Sequence, residues 1–292
     1  MKTIFIRRWP AAIKKNVKGK RMKMQEDGFI TLGNRQGECR ISLWGGNLVS
    51  YRPKDQKEDV FWLGELNKFD NVQAIRGGVP VCWPRFAEEK LNKHLPRHGF
   101  ARISRWHLSD VRVDENGAEA TLLLVPAAEF KLKAEARLSI KMTDKLEYCL
   151  ETVNPGNEVL TFSEALHAYF NVGSLDEVEI SGLSGSYKNS LDGQIYKLED
   201  NLKIKGEFDS IFTDHSGTVE IVDPVFKRVI SVSKSGSDTI VVWNPGKDLA
   251  EMSPGQYKKF VCVEPSNTGA SFVRLEPGEK HKIAMTVQVR SL

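Results

Sequence analysis

The run from Arg76 to Arg102, RGGVPVCWPRFAEEKLNKHLPRHGFAR, gathers four arginines (Arg76, Arg85, Arg97, Arg102), two histidines (His94, His98), three prolines and three glycines. That density of proline and glycine rules out a plain strand or helix. Arginine offers a planar fork of donors matched to phosphate or carboxylate, and glycine lets backbone approach a ligand closely, so the run reads as an anion-binding loop system. The competing reading is a surface loop with solvated charges. Two further groups stand out on strands. His167 falls among Thr161, Ser163, Tyr169 and Asn171 on one face of an alternating segment, where it is either a hydrogen-bonded surface histidine or part of a cleft. Glu264 ends the apolar run of Tyr257 to Pro265, YKKFVCVEP, on the face of Phe260 and Cys262, and Pro265 is expected to stop the ladder there.

A histidine and a glutamate beside arginines suit a reaction that moves two protons at once. Opening a sugar hemiacetal is one: a base takes the proton of the anomeric hydroxyl while an acid protonates the ring oxygen. Glutamate is ionised at neutral pH and histidine, with a reference pKa of roughly 6.5, can be protonated, so each is expected in the state its role requires. Nearby arginines would hold a phosphorylated sugar far more strongly than a neutral one. Other chemistries find no support, since there is no G-x-S-x-G elbow, H-E-x-x-H helix, P-loop or dinucleotide fingerprint. His94 and His98 would suit a metal only on a helix, which Pro96 and Gly99 disfavour, so no metal is expected.

The elements that must position these residues are strands. From residue 28 the dominant period is two. Phe29 to Leu32, Cys39 to Trp44 and Leu48 to Tyr51 read as short strands, and Lys131 to Met142 alternates over its whole length before returning through Leu146 to Val153 as a hairpin. After the turn Asn154 to Asn157, one strand is expected from Glu158 to about Val172, with Leu160, Phe162, Glu164, Leu166, Ala168 and Phe170 opposite the face of His167. Residues 173–216 lack periodicity apart from the motif Glu207 to Ile211. Strands resume at Gly217 to Val222, Phe226 to Ser233, Thr239 to Trp243 and Ser271 to Arg274, and in a last one with His281, Ile283, Met285, Val287 and Val289 on one face. Helical patterns occur only near Glu88 to Leu95 and Lys247 to Met252. The economical architecture is an all-β, antiparallel sandwich.

The totals set limits. A formal net charge of +4 conceals nine basic and no acidic residues in positions 1–25, which leaves −5 on residues 26–292. The basic segment is therefore set apart as an N-terminal extension, and residues 26–292 are expected to form a single β-sandwich domain with no affinity for nucleic acid. Ile4 to Ile6 is cut off by Arg7 and Arg8, too short for a secretory signal, and no run is long enough for a membrane helix, so a cytoplasmic protein is expected. Cys39, Cys82, Cys149 and Cys262 are widely spaced in or beside apolar runs, as buried reduced thiols would be.

Six motifs carry a resemblance: RGGVPVCWP at 76–84, PRHGFAR at 96–102, EALHAYFNVG at 164–173, FDSIF at 208–212, VVWNPG at 241–246 and FVCVEP at 260–265. In this order they resemble the hexose-6-phosphate mutarotases, or glucose-6-phosphate 1-epimerases, of the aldose 1-epimerase superfamily. The resemblance runs from about residue 28 to the end. It implies a galactose-mutarotase-like β-supersandwich of antiparallel sheets with few short helices, no cofactor, and interconversion of the α and β anomers of glucose 6-phosphate or a close relative; a monomer is expected. By the same resemblance His167 is the general acid and Glu264 the general base, Arg76 and Arg102 bind substrate, Asp209 contacts sugar hydroxyls, and His98 lies beside the site. The chain departs from the pattern at Arg85 and Arg97, extra arginines that could strengthen or shift phosphate binding. Arg97 is accordingly counted with the substrate-binding residues, and the role of Arg85 stays open. Two other functions share the fold: a mutarotase of neutral aldoses, and a sugar-phosphate sensor or binding module without chemistry.

Overall fold

A computed structural model describes residues 21–24, 28–87, 91–124, 130, 132–213 and 215–292. Two eight-stranded antiparallel sheets dominate it, joined by a four-stranded sheet at the N-terminal side and a two-stranded pair, Leu160–Phe162 with Val273–Leu275. Among the described residues no helix is long and apolar enough to cross a membrane.

The first large sheet is built on the alternating segments. Glu135–Met142 pairs with Leu146–Val153, which pairs with the twelve-residue strand Lys280–Ser291, which in turn pairs with Arg228–Ser235. Alternation sends Leu138, Ile140, Met142, Leu150, Ile230, Val232, Ile283, Met285 and Val287 into the main core and leaves their neighbours outside. The second large sheet packs on that core with Ile240, Val242, Val261 and Val263. Its other face is covered as well. The central strand Phe260–Asn267 is buried at every position, with Phe260 and Cys262 packing against Trp62 and Tyr169 away from the main core.

Several expectations are corrected. The strand expected over 158–172 is three short pieces, Leu160–Phe162, Glu164–Leu166 and Tyr169–Asn171, with different partners. Pro265 does not end its strand. The ladder runs on to Asn267, so Glu264 sits mid-strand, held from both sides. Of the helical pattern expected near Glu88 to Leu95, residues 88–90 lie outside the described residues and 91–95 form turns; 247–252 is likewise turn and loop, and the named helical segments are single 3-10 turns at Ala101–Ile103, Leu175–Glu177 and Gln256–Lys259. The weakly patterned region holds a hairpin, Gly185–Asn189 with Ile195–Leu198, that extends the second sheet. The basic N-terminal segment lies outside the described residues up to position 20, but Arg21–Met24 pairs with Phe29–Asn34 and is part of the fold. All four cysteines are free, three of them buried and Cys149 half-buried.

Candidate active site

The outer face of the second sheet presents two rows of side chains across adjacent strands. Asp209, Trp243, Cys262 and Tyr169 stand opposite one another in one row. The next row begins with Ile211, Val241 and Glu264. On the far side of Glu264 the register passes from Ala165 opposite Ser266 to Tyr169 opposite Cys262. Both pairings place His167 opposite Glu264. Directly opposed residues on one face of a sheet bring their side chains into contact, and His167 Nδ1 lies 3.1 Å from Glu264 Oε1. The two are 8% and 1% exposed.

Aromatic rings fix the pair. Tyr169 stacks on the His167 ring at 4.8 Å between centroids and 10° between planes, while Trp243 stands edge-on at 5.8 Å. Arg76 Nη1 donates to the Tyr169 hydroxyl at 3.0 Å, and its Nη2 forms an ion pair with Glu251. The RGG turn brings Arg76 there: Gly78 has φ +68°, and a Cβ on it would lie 2.5 Å from Asn47 Oδ1. At the other end of the loop run, Gly99 has φ +70° and would place a Cβ 2.0 Å from the Trp83 carbonyl oxygen. The Trp83 carbonyl accepts from the backbone N–H groups of Phe100 and Ala101, which sets the short helical turn carrying Arg102.

The four arginines of this run separate into two kinds. Arg85 is buried and donates through Nη1 to the carbonyls of Leu95 at 2.7 Å and Lys93 at 3.4 Å. It is an internal brace for the loop, which explains its presence. Arg97 is exposed, Arg102 is half-buried and donates to the Arg97 carbonyl at 3.1 Å, and Arg76 faces Tyr169. Of the two histidines, His94 is exposed on a turn, so its spacing to His98 does not stack them as a helix would. The His98 ring packs against Phe86 and lies 5.9 Å from the His167 ring. Its Nδ1 accepts from the Ala87 N–H at 3.4 Å and contacts Cys82 Sγ at 3.7 Å. Asp209 is half-buried, and burial raises its carboxyl above the usual range.

The electrostatics differ from the sequence expectation of an ionised glutamate and a protonated histidine acting separately. Burial, followed by the charge of Asp209, pushes the Glu264 carboxyl well up. Burial, followed by the charges of Arg102 and Arg76, pushes His167 well down. In a dry pocket the charged form of each is disfavoured, so two groups in contact titrate as one unit and hold one proton between them over a wide pH range. His98 is likewise held neutral by burial and Arg102. Its hydrogen bond from Ala87 then leaves the ring proton on Nε2.

Sequence reasoning missed a second contact of the same kind. Glu164, fully buried, accepts from Asn267 Nδ2 at 2.9 Å and lies 3.0 Å from His281 Nε2. Its signal was present: a carboxylate and a histidine, each on the apolar face of an alternating strand.

A family model described as aldose 1-epimerase matches residues 28–288. A Haemophilus influenzae protein provisionally named glucose-6-phosphate 1-epimerase is 33% identical over 245 residues, covering 84% of this chain and 85% of its own. An Escherichia coli protein of the same provisional name is 32% identical over 250 residues, with 84% of each chain covered. Among solved structures, a provisionally named mutarotase from Salmonella typhimurium superposes with a TM-score of 0.86 at 27% identity over 96% of each chain. A galactose mutarotase-like protein from Lactobacillus casei shares the fold, with a TM-score of 0.71 at 18% identity over 90% of this chain and 100% of its own.

Proposed function

We propose that this chain, which belongs to the aldose 1-epimerase family, interconverts the α and β anomers of a hexose 6-phosphate, with glucose 6-phosphate as the preferred candidate. The observation that carries the reading is the buried contact of His167 with Glu264, 3.1 Å apart, beneath a loop run bearing Arg76, Arg97 and Arg102. Names given to the relatives from Haemophilus influenzae and Escherichia coli point to the same substrate.

In this mechanism Glu264 takes the proton of the anomeric hydroxyl through Oε2, which has no hydrogen-bond partner among the described residues. His167 gives its proton to the ring oxygen. The bond from the anomeric carbon to the ring oxygen breaks, its electron pair stays on the oxygen, and an open-chain aldehyde forms. Rotation about the bond between the first two carbons presents the other carbonyl face, and the reverse transfers close the ring as the other anomer. Proton count is conserved: the pair begins and ends each step with one proton, which moves from His167 to Glu264 on opening and back on closing. Burial favours the neutral form of each group, so ring opening starts from the less populated form of the pair, in which the shared proton lies on His167. The residues themselves supply every proton, so the proposal needs no cofactor.

His98 and Asp209 are assigned to the sugar hydroxyls, and Arg97 and Arg102 to the phosphate. Arg76, already bound to Tyr169 and Glu251, orients the ring stacked on His167 and closes the binding site from the other side. We place the activity in residues 26–292, as a monomer of the cytoplasm without nucleic-acid or membrane partners. Polarimetry or NMR of freshly dissolved α-glucose 6-phosphate tests the reading directly. The protein should speed relaxation to the anomeric equilibrium, and a rate equal to that of buffer alone would refute it.

A further inference from the structure

Cys262 has no part in the proton transfers described above, yet it lies among the groups that make them. It shares a strand face with Glu264 and stands opposite Tyr169 on one side and Trp243 on the other. Its sulfur, a ring nitrogen of His167 and a carboxylate oxygen of Glu264 all lie within 4.8 Å of one another, and all three residues are buried. A second observation points to a ligand. His167 Nδ1 and Glu264 Oε2 both lack a well-formed hydrogen bond among the described residues, although their side chains are nine-tenths or more buried. Nδ1 and Oε1 lie 3.1 Å apart without forming a hydrogen bond, so Nδ1 and Oε2 are both without a partner in the cluster that holds the thiol.

We propose that Cys262, His167 and Glu264 form a binding site for a thiophilic divalent cation, Zn²⁺ or Cd²⁺, and that its occupancy switches the enzyme off. The donor set argues the metal class: thiolate with imidazole and one carboxylate suits zinc-group ions, while Mg²⁺ and Ca²⁺ require oxygen donors. Three protein ligands leave a fourth tetrahedral position open. With zinc bonds of about 2.0–2.3 Å, tetrahedral ligand atoms stand roughly 3.4–3.8 Å apart. The histidine and glutamate are already at that spacing or closer, so the sulfur alone has to close in, by rotation of its side chain. Binding exchanges one M²⁺ for two protons, that of the thiol and that shared by the His–Glu pair, both released to solvent. No group is oxidised or reduced. The loss of activity rests on the mutarotase reading, whereas the binding of the ion does not.

The test is a titration of Cd²⁺ into the full-length protein. Cadmium–thiolate charge-transfer absorption in the near ultraviolet is read in parallel with the mutarotation rate. One equivalent should develop the band and abolish activity, and a chelator should reverse both. Cys262→Ser should retain the mutarotation rate and lose the band, with inhibition weakened by at least about tenfold, since removing even an outer-shell partner of a metal costs that much. Cys82→Ser should keep the band. If Cys262→Ser fails to fold, Glu264→Gln serves instead, expected to weaken cadmium binding by at least about tenfold with thiol content unchanged. No band at one equivalent, or a band unaltered in these variants, overturns the proposal. A band with no mutarotation in the metal-free protein would instead overturn the function and leave the site standing.

Discussion

Among the described residues two histidine–glutamate contacts have nearly the same length, His167–Glu264 at 3.1 Å and His281–Glu164 at 3.0 Å, and their glutamates belong to the paired strands Glu164–Leu166 and Phe260–Asn267. His167 lies one residue past the strand Glu164–Leu166, which pairs with Phe260–Asn267 through Glu164 and Asn267. Because alternate residues point to opposite faces, Glu264 looks out toward the arginine loops, while Glu164 and Asn267 look in toward the first large sheet. His281 reaches Glu164 from that sheet's long strand Lys280–Ser291. Surroundings rather than chemistry then set the behaviour. Around His167, burial and the charges of Arg102, Arg76 and Arg97 all oppose protonation. At His281, burial also opposes it, but the hydrogen bond and charge of Glu164 reverse the balance and raise its pKa. The inner contact is also completed by Asn267, which bonds Glu164 and the Gly236 carbonyl, as suits a bolt between sheets. Each contact leaves its glutamate Oε2 without a hydrogen-bond partner among the described residues, but only the outer one also leaves its histidine nitrogen, His167 Nδ1, without one.

The strongest way to break this comparison is to remove one charge from each contact. Glu264→Gln should lower the rate by about 10²–10⁴-fold, the usual worth of a general acid or base, and leave the fold intact. It should also stabilise the protein at alkaline pH. A carboxyl whose pKa is raised in the folded state contributes stability at low pH that is lost as pH rises through the folded pKa, and glutamine escapes that loss. Thermal melts of both proteins across pH check the sign, and a wild type more stable than Glu264→Gln at high pH would contradict it. Replacing Arg97 and Arg102 together by alanine should reduce kcat/KM for glucose 6-phosphate by about 10²–10⁴-fold, each charged hydrogen bond being worth about 1.5–3 kcal/mol. Turnover of unphosphorylated glucose should suffer much less. Equal losses on both sugars would favour the neutral-aldose reading.

The inner contact should answer differently. His281→Leu should cost about 1–3 kcal/mol of stability in denaturant unfolding and leave mutarotation of the remaining folded protein unchanged. Because the His281 pKa is raised in the folded state, its contribution is full below the ordinary histidine range and fades as pH rises through the folded value. The gap between wild type and His281→Leu should therefore narrow on going from acid to mildly alkaline solution. The smallest effect expected is on the pH profile of Arg102→Ala. With one opposing charge gone, His167 binds a proton more readily, and the acid limb of kcat/KM should move up by about one pH unit or less.

Alternation along the strands was legible from residue types alone. It put Glu264 with Phe260 and Cys262, His167 with Tyr169, and Glu164 and His281 on apolar faces, and each placement holds in the structure. Apolar and polar side chains must part across a sheet, so a period of two is written locally. The antiparallel all-β architecture followed from the same local information, and the family likeness from six short motifs. Three-dimensional packing alone decided which strand lies beside which, and in what register. His167 and Glu264 come from separate strands, and neither carries a local mark of being opposite the other; the ladder through Ala165, Ser266, Tyr169 and Cys262 makes them meet. Packing also turned Arg85 inward as a brace when its neighbours in sequence face the site. It carried the chain past Pro265 and pushed the pKa values of His167 and Glu264 in the directions that favour their neutral forms. Burial is a property of the assembled sheets, and the protonation of a group depends on how much water the other strands leave around it.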